Sequence, residues 1–304
     1  MQNNLNRREK RCIEELSLID DFMFTEASID EQTALLLMKL IIERATELKI
    51  GQLQIEPQKF VNGVDTDKHG IRMDVTIREV EEDGKTIQLF DVEPNNVIGV
   101  DLPRRSRYYQ ALVDVKLLDT GMKYDRLPDM WTIWLLPYDP FGQDYILYSV
   151  KNVVEENEDI KYNDGVRKLF LYTGGTKGGT EKLRNLLRYI ESSIEANAVD
   201  DELKELHANV TRLKNRKEIG VKYMNMQEVM EYKIQEAVEE ATREVTKEVT
   251  KEVTRAVTKE VGKETIKRMS RLTKMLLDSG RMEDLRKTTE DPEFLAEKLK
   301  EFSL

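Results

Sequence analysis

Asp83 and Gly84 divide residues 70–95, GIRMDVTIREVEEDGKTIQLFDVEPN, into two runs with alternating apolar character. A two-residue Asp-Gly loop favours a type I′ turn, and such a turn fixes the register of the strands it joins. With Asp83 and Gly84 at the tip, Asp74 falls directly opposite Glu93, their Cβ atoms ~4.5–5.5 Å apart. Met73, Val75 and Ile77 then share the other face with Phe90 and Val92, which suits packing on a core. Arg72, Thr76 and Asp91 lie on the acids' own face. Two directly opposed carboxylates repel each other, so some group must offset them. A hard divalent cation does so, because Mg²⁺ takes oxygen ligands, often one or two carboxylates with waters and phosphate oxygens. A solvated face, with Asp74 balanced by Arg72 or Arg78, is the other reading. Acids are common on exposed strands, so spacing alone favours the solvated face.

The 304 residues suffice for one domain with a sizeable core plus an appendage, or for two small domains. No apolar run approaches the length of a membrane span, and the start MQNNLNRREKRC leads into no signal-peptide core. The single Cys12 excludes an intramolecular disulfide and a cysteine zinc cage, which makes a reducing cytosol the expected compartment. A net charge of −10 lacks the basic footprint of many nucleic-acid binders. DNA contact would need a local basic patch or metal ions.

Ser28 and Glu31 have the spacing of a capping box ahead of TALLLMKLIIERATEL, and Gly51 suits the far end of that helix. Its nearly all-round apolar surface requires burial. A polar, irregular stretch is expected between it and the hairpin. DLPRRSRYYQALVDVKLLDTG reads as a second helix, with Asp101 as N-cap, Pro103 in the first turn and Gly121 at the end. MWTIWLLP is a continuous apolar run of strand length, expected to be buried on both faces, and DYILYSV and RKLFLY read as further strands. The pattern predicts an α/β domain within residues 1–197, then a helical extension over 198–304. In that extension EVTKEVTKEVTRAVTKEV nearly repeats a tetrad within 241–264. Valines four residues apart overshoot a helical turn, so their stripe winds slowly round the helix. Both a charged low-complexity spacer and an oligomerising helix, giving a homo-oligomer, fit this pattern.

The chain resembles the PD-(D/E)XK nuclease superfamily, specifically its recombination-promoting nuclease or putative transposase branch. IDDFMF, RMDV, DVEPN, RSRYYQALVDVKLLDTGMKYDRLPDMWTIWLLPYDPFG and NDGVRKLFL carry the resemblance, over about residues 18–230. It implies a restriction-endonuclease-like core, a central mixed sheet flanked by helices, and a Mg²⁺-dependent DNA endonuclease, with Mn²⁺ as an alternative metal. Asp74 matches the metal-binding acid of the second core strand and Glu93 that of the third. Asn95 stands where the superfamily has lysine and this branch often has glutamine. Asn carries no charge, so its implied role is to orient a water or a phosphate. Thr25 stands where relatives often have lysine. Asp21 is read as a helix-orienting residue or an accessory acid. Arg104 and Arg107, beside two tyrosines, are the implied DNA-backbone contacts. The alternative expectation is a degenerate nuclease fold that binds DNA or protein without cutting. His69 and His207 are too few for a histidine metal site, TGGTKGGT lacks phosphate-loop spacing, and Trp131 and Trp134 read as core.

Overall fold

The computed structural model describes residues 11–61, 71–80, 86–99 and 101–304, and for 57–61 and 71–73 the backbone alone. The expected capping box at Ser28 is replaced by one residue with better geometry. Helix α1 (Asp21–Ile29) already contains Ser28, whose hydroxyl donates back to the Phe24 carbonyl at 2.7 Å. Asp30 then opens α2 (Glu31–Thr46), its carboxylate accepting from the Thr33 N–H at 3.2 Å and the Thr33 hydroxyl at 2.7 Å. A single residue between two helices leaves room for one cap, and the aspartate takes it. α2 ends before Gly51: Glu47 takes a left-handed conformation at φ 60°. Gly51 instead donates its N–H to Glu79 Oε1 at 2.7 Å, at the entrance to a strand.

That strand, β1 (Gln52–Val61), occupies the stretch expected to be irregular. Pro57 masked it in the sequence, because proline cannot donate to a ladder. β1 tolerates it as an edge strand. Six strands form one mixed sheet in the order β1-β2-β3-β4-β6-β5. β2 (Ile71–Val80) and β3 (Thr86–Pro94) are antiparallel, while β3, β4 (Asp129–Leu136) and β6 (Val166–Tyr172) run parallel. β5 (Leu147–Val150) closes the far edge antiparallel to β6. The hairpin register is the expected one from Val75↔Val92 to Glu79↔Gln88. A bulge at Glu79/Val80 then brings Val80 opposite Thr86, where one extra residue sharpens the twist. The Asp83-Gly84 turn lies outside the described residues, as do Lys68, His69 and Lys85.

β4 is central and buried on both faces, as its unbroken apolar run requires. On one face Val75, Ile77, Phe90, Val92, Ile133, Leu135, Leu169 and Leu171 join α1, α2, α4 (Glu181–Glu191) and α5 (Asp201–Lys214) in the main core. On the other face α3 (Leu102–Leu117) lays Leu102, Tyr109, Leu112 and Val113 over Leu89, Met130, Trp134, Leu136 and Phe170. Asp101 caps α3, accepting from the Arg104 N–H at 3.1 Å, as expected.

The first compact unit ends at Asn225, beyond the expected boundary at 197. α5 buries Leu203, Leu206, Val210 and Leu213 in the main core, and Ile219 and Tyr223 at the start of α6 (Lys217–Asp278) continue it. The amphipathic spacing of α5 therefore outweighs its charged composition. In the second unit, from Met226 to Leu304, the tetrad repeat is helical within α6, and Val245, Val249, Val253, Val257 and Val261 are exposed. At its end Leu272 and Leu276 are buried near α7 (Met282–Glu290) and α8 (Pro292–Glu301), where Arg281 bridges Asp284 and Glu301. Among the described residues no helix is long and apolar enough to cross a membrane.

Candidate functional site

Alternation along β3 sends Asp91 and Glu93 to the face that α3 covers, near the carboxyl ends of the parallel strands. Ligand sites of open α/β sheets favour this end. The register brings Asp74 alongside: its backbone N–H donates to Glu93 Oε1 at 2.8 Å. Asp74 is half-buried, whereas Asp91 and Glu93 are fully buried. The structure therefore unites Asp74 and Glu93, and adds Asp91 as a third acid.

Asp91 pairs across the ladder with Thr76 on one side and Thr132 on the other. Neither of its carboxylate oxygens, nor the buried Thr76 hydroxyl, finds a hydrogen-bond partner among the described residues. Burial pushes Asp91 up to about 7; the adjoining Glu93 carboxyl opposes the rise, the Asp74 charge adds to it, and Arg105 opposes it. Burial also holds Glu93 well above the usual carboxylate range, helped by the Asp91 and Asp74 charges and opposed by the Asp74 N–H and Arg105. Two buried carboxylates this close cannot both remain ionised without a cation. Either they share a proton or a cation joins them.

Arg105 pairs with Glu93. Its Nη2 lies 3.4 Å from Glu93 Oε2. Its Nε and Nη2 donate to the Tyr109 hydroxyl at 2.8 and 2.6 Å. The guanidinium also lies 5.0 Å from the ring centroids of both Tyr109 and Trp134. Trp134 is fixed in turn, donating its indole N–H to Ser106 Oγ at 2.7 Å. Burial, reinforced by the Glu93 charge, raises Tyr109 to about 12, so it stays a neutral phenol.

Neither of the two arginines expected to meet the DNA backbone forms an ion pair with these acids among the described residues. Arg104 is 78% exposed and pairs with Asp101 at 2.8 Å, and Arg107 is exposed on the outer side of α3. The stripe Leu102, Ser106, Tyr109, Val113 faces the sheet, and residue 105 borders it, so an arginine there meets the sheet rather than solvent.

Asn95 is buried at the end of β3. Its amide donates to the Val97 carbonyl at 2.9 Å and the Tyr138 hydroxyl at 2.5 Å, while its backbone N–H donates to the Leu135 carbonyl at 2.9 Å. It thus holds the strand end and the following loop. The next residue, Asn96, donates to the Ile19 carbonyl at 2.8 Å and to Asp21 Oδ1 at 2.9 Å, which brings the IDDFMF segment to this loop. Asp21 follows the N-cap position held by Asp20.

Among the described residues no group of three or more His, Cys, Asp and Glu side chains forms a ready-made metal cage. The donor chemistry still fits a hard cation: all-oxygen ligands from two carboxylates, with other positions left to water and phosphate, is the usual manner of Mg²⁺. The partnerless oxygens of Asp91 fit the same requirement.

Compared with known proteins, the chain matches no family model, no curated protein and no solved structure.

Proposed function

We propose that the chain is a divalent-metal-dependent DNA endonuclease with a restriction-endonuclease-like core, of the recombination-promoting branch of the PD-(D/E)XK superfamily. The buried Asp91–Glu93 pair beside Asp74 carries the reading. It buries carboxylates side by side and leaves both Asp91 oxygens without a hydrogen-bond partner among the described residues, a demand that a bound Mg²⁺ or Mn²⁺ meets. Asp74 and Glu93 would hold the metal. A metal so bound polarises a phosphate and lowers the pKa of a coordinated water. The chain's own groups set the stage for that chemistry. The Asp74 N–H fixes one oxygen of Glu93, Arg105 faces the other, and Tyr109 and Trp134 fix the guanidinium. Asn95 keeps the strand end and its loop in place.

A second reading, a nuclease-like fold that binds DNA or protein without cutting, draws on Asn95. Its amide protons are committed to Val97 and Tyr138, and it supplies no charge. A nicking assay on supercoiled plasmid separates the two readings. The full chain with Mg²⁺ or Mn²⁺ is expected to nick, while Asp74→Asn and Glu93→Gln lose more than ~100-fold, beyond the cost of removing a group that only supports a ligand. DNA binding without nicking by the wild-type chain, in either metal, selects the second reading.

A further inference from the structure

Arg105 has the geometry of a prepared anion contact rather than of a closed salt bridge. A guanidinium that serves only to neutralise a carboxylate takes it as a fork, through two parallel bonds. Here a single Nη2–Oε2 approach of 3.4 Å reaches Glu93. The plane of the group is set by other means: the Tyr109 hydroxyl accepts from Nε and Nη2, and two aromatic rings lie 5.0 Å away. Its Nη1 has no partner among the described residues, and the side chain is 33% exposed. The cation is therefore held rigid with one edge open at the rim of an acid cluster.

The ligand follows from charge. Asp74, Asp91 and Glu93 supply no fixed positive charge for a phosphate, and Asn95 is uncharged with its amide protons on Val97 and Tyr138. A delocalised guanidinium with free N–H groups matches the oxygens of a phosphodiester. Arg104 is already engaged with Asp101, and Arg107 is exposed.

Resting on the nuclease reading, we propose that Arg105 is the residue that engages the substrate phosphate beside the acids, with Tyr109 as the positioning residue that aims it. The assignment differs from ordinary backbone contact along α3, because it makes one specific arginine, inside the site, part of substrate recognition.

The test is binding of a short DNA duplex to the full chain in Ca²⁺, followed by fluorescence anisotropy over a salt series. Arg105→Gln is expected to weaken binding ~10-fold, the scale of one charge-assisted hydrogen bond, and to reduce the salt slope by about 1. Arg105→Lys should restore the slope while binding less tightly than wild type, since lysine keeps the charge and loses the fork. Tyr109→Phe should keep the slope and weaken affinity, because the charge stays but is no longer aimed. A merely structural Arg105 predicts a lower melting temperature for Arg105→Gln with an unchanged slope, and that result overturns the inference alone. Should Arg105→Gln fail to fold, unchanged affinity in Tyr109→Phe overturns it instead. Absence of DNA binding by the wild-type chain overturns the nuclease reading together with this one.

Discussion

The two faces of the sheet differ in what they ask of a mutation. On the face toward α1, α2, α4 and α5, every strand contributes aliphatic or aromatic side chains, and their burial holds the domain together. On the face toward α3, apolar packing around Trp134 continues until it meets Asp91, Glu93 and Arg105. The first face gains free energy from every buried group. The second keeps carboxylates where burial disfavours their charge, an arrangement found where function outweighs stability. The same two strands, β2 and β3, supply both faces, so single substitutions one residue apart are expected to have opposite consequences.

Two residues of β3 on opposite faces, Phe90 and Glu93, sharpen the contrast most. Phe90→Ala should cost about 3–5 kcal/mol of stability through the cavity it leaves, and the molecules that remain folded should still cut DNA. Glu93→Gln should abolish cutting and leave the metal-free melting temperature equal or higher. Chemical denaturation and plasmid nicking on the same two preparations check both halves. Loss of the fold in Glu93→Gln would mean that the acid face is structural after all.

A pH series tests the charge on the second face. The Asp91 carboxyl holds its proton more tightly folded than unfolded. Its stabilising contribution is therefore complete below the unfolded value of ~3.9 and is lost as pH rises through about 7. Metal-free wild type should lose stability between pH 5 and pH 8, by on the order of a few kcal/mol. Asp91→Asn should flatten that dependence and exceed wild type at pH 8. Added Mg²⁺ should raise the melting temperature more at pH 8 than at pH 6, because it competes with the proton. An identical pH profile in wild type and Asp91→Asn contradicts the assignment.

Asn95 tests where the second face ends. Removing its two side-chain hydrogen bonds in Asn95→Ala should cost about 1–3 kcal/mol and reduce nicking less than Glu93→Gln does. A loss of nicking as deep as that of Glu93→Gln, in a folded chain, would give Asn95 a direct part in the chemistry.

The smallest effect is expected from the second unit. A chain ending at Asn225 keeps every helix of the main core, including Ile219 and Tyr223. Its melting temperature should stay within a few degrees of the full chain. The oligomeric expectation attached to residues 241–264 is read from the same sample: sedimentation should show a smaller particle if the valine stripe self-associates, and the same stoichiometry if it does not.

Much of the first unit was legible because its signals are local. Strand alternation has a period of two, so the hairpin register alone sorted Val75, Ile77, Phe90 and Val92 from Asp74, Asp91 and Glu93. The apolar run of β4 announced burial on both faces, and Asp101 with Pro103 announced the start of α3. Less visible features depended on partners distant in sequence. β1 became a strand because β2 offered it an edge, in spite of Pro57. Asp30 took the cap because α1 ran on through Ser28.

The sequence by itself thus determined that two acids face each other on a hairpin, since turn type and alternation are properties of contiguous residues. Only the tertiary structure decided that a third acid is sealed beside them and that Arg105, rather than Arg104 or Arg107, meets them. The reason is rotational. Residues 104, 105 and 107 lie about 100° apart per residue around one helix, and which of them points at the sheet is set by how Leu102, Tyr109 and Val113 seat α3 on Trp134 and Leu136. That seating is a packing outcome of the whole layer, and it also removes Asp91 from water.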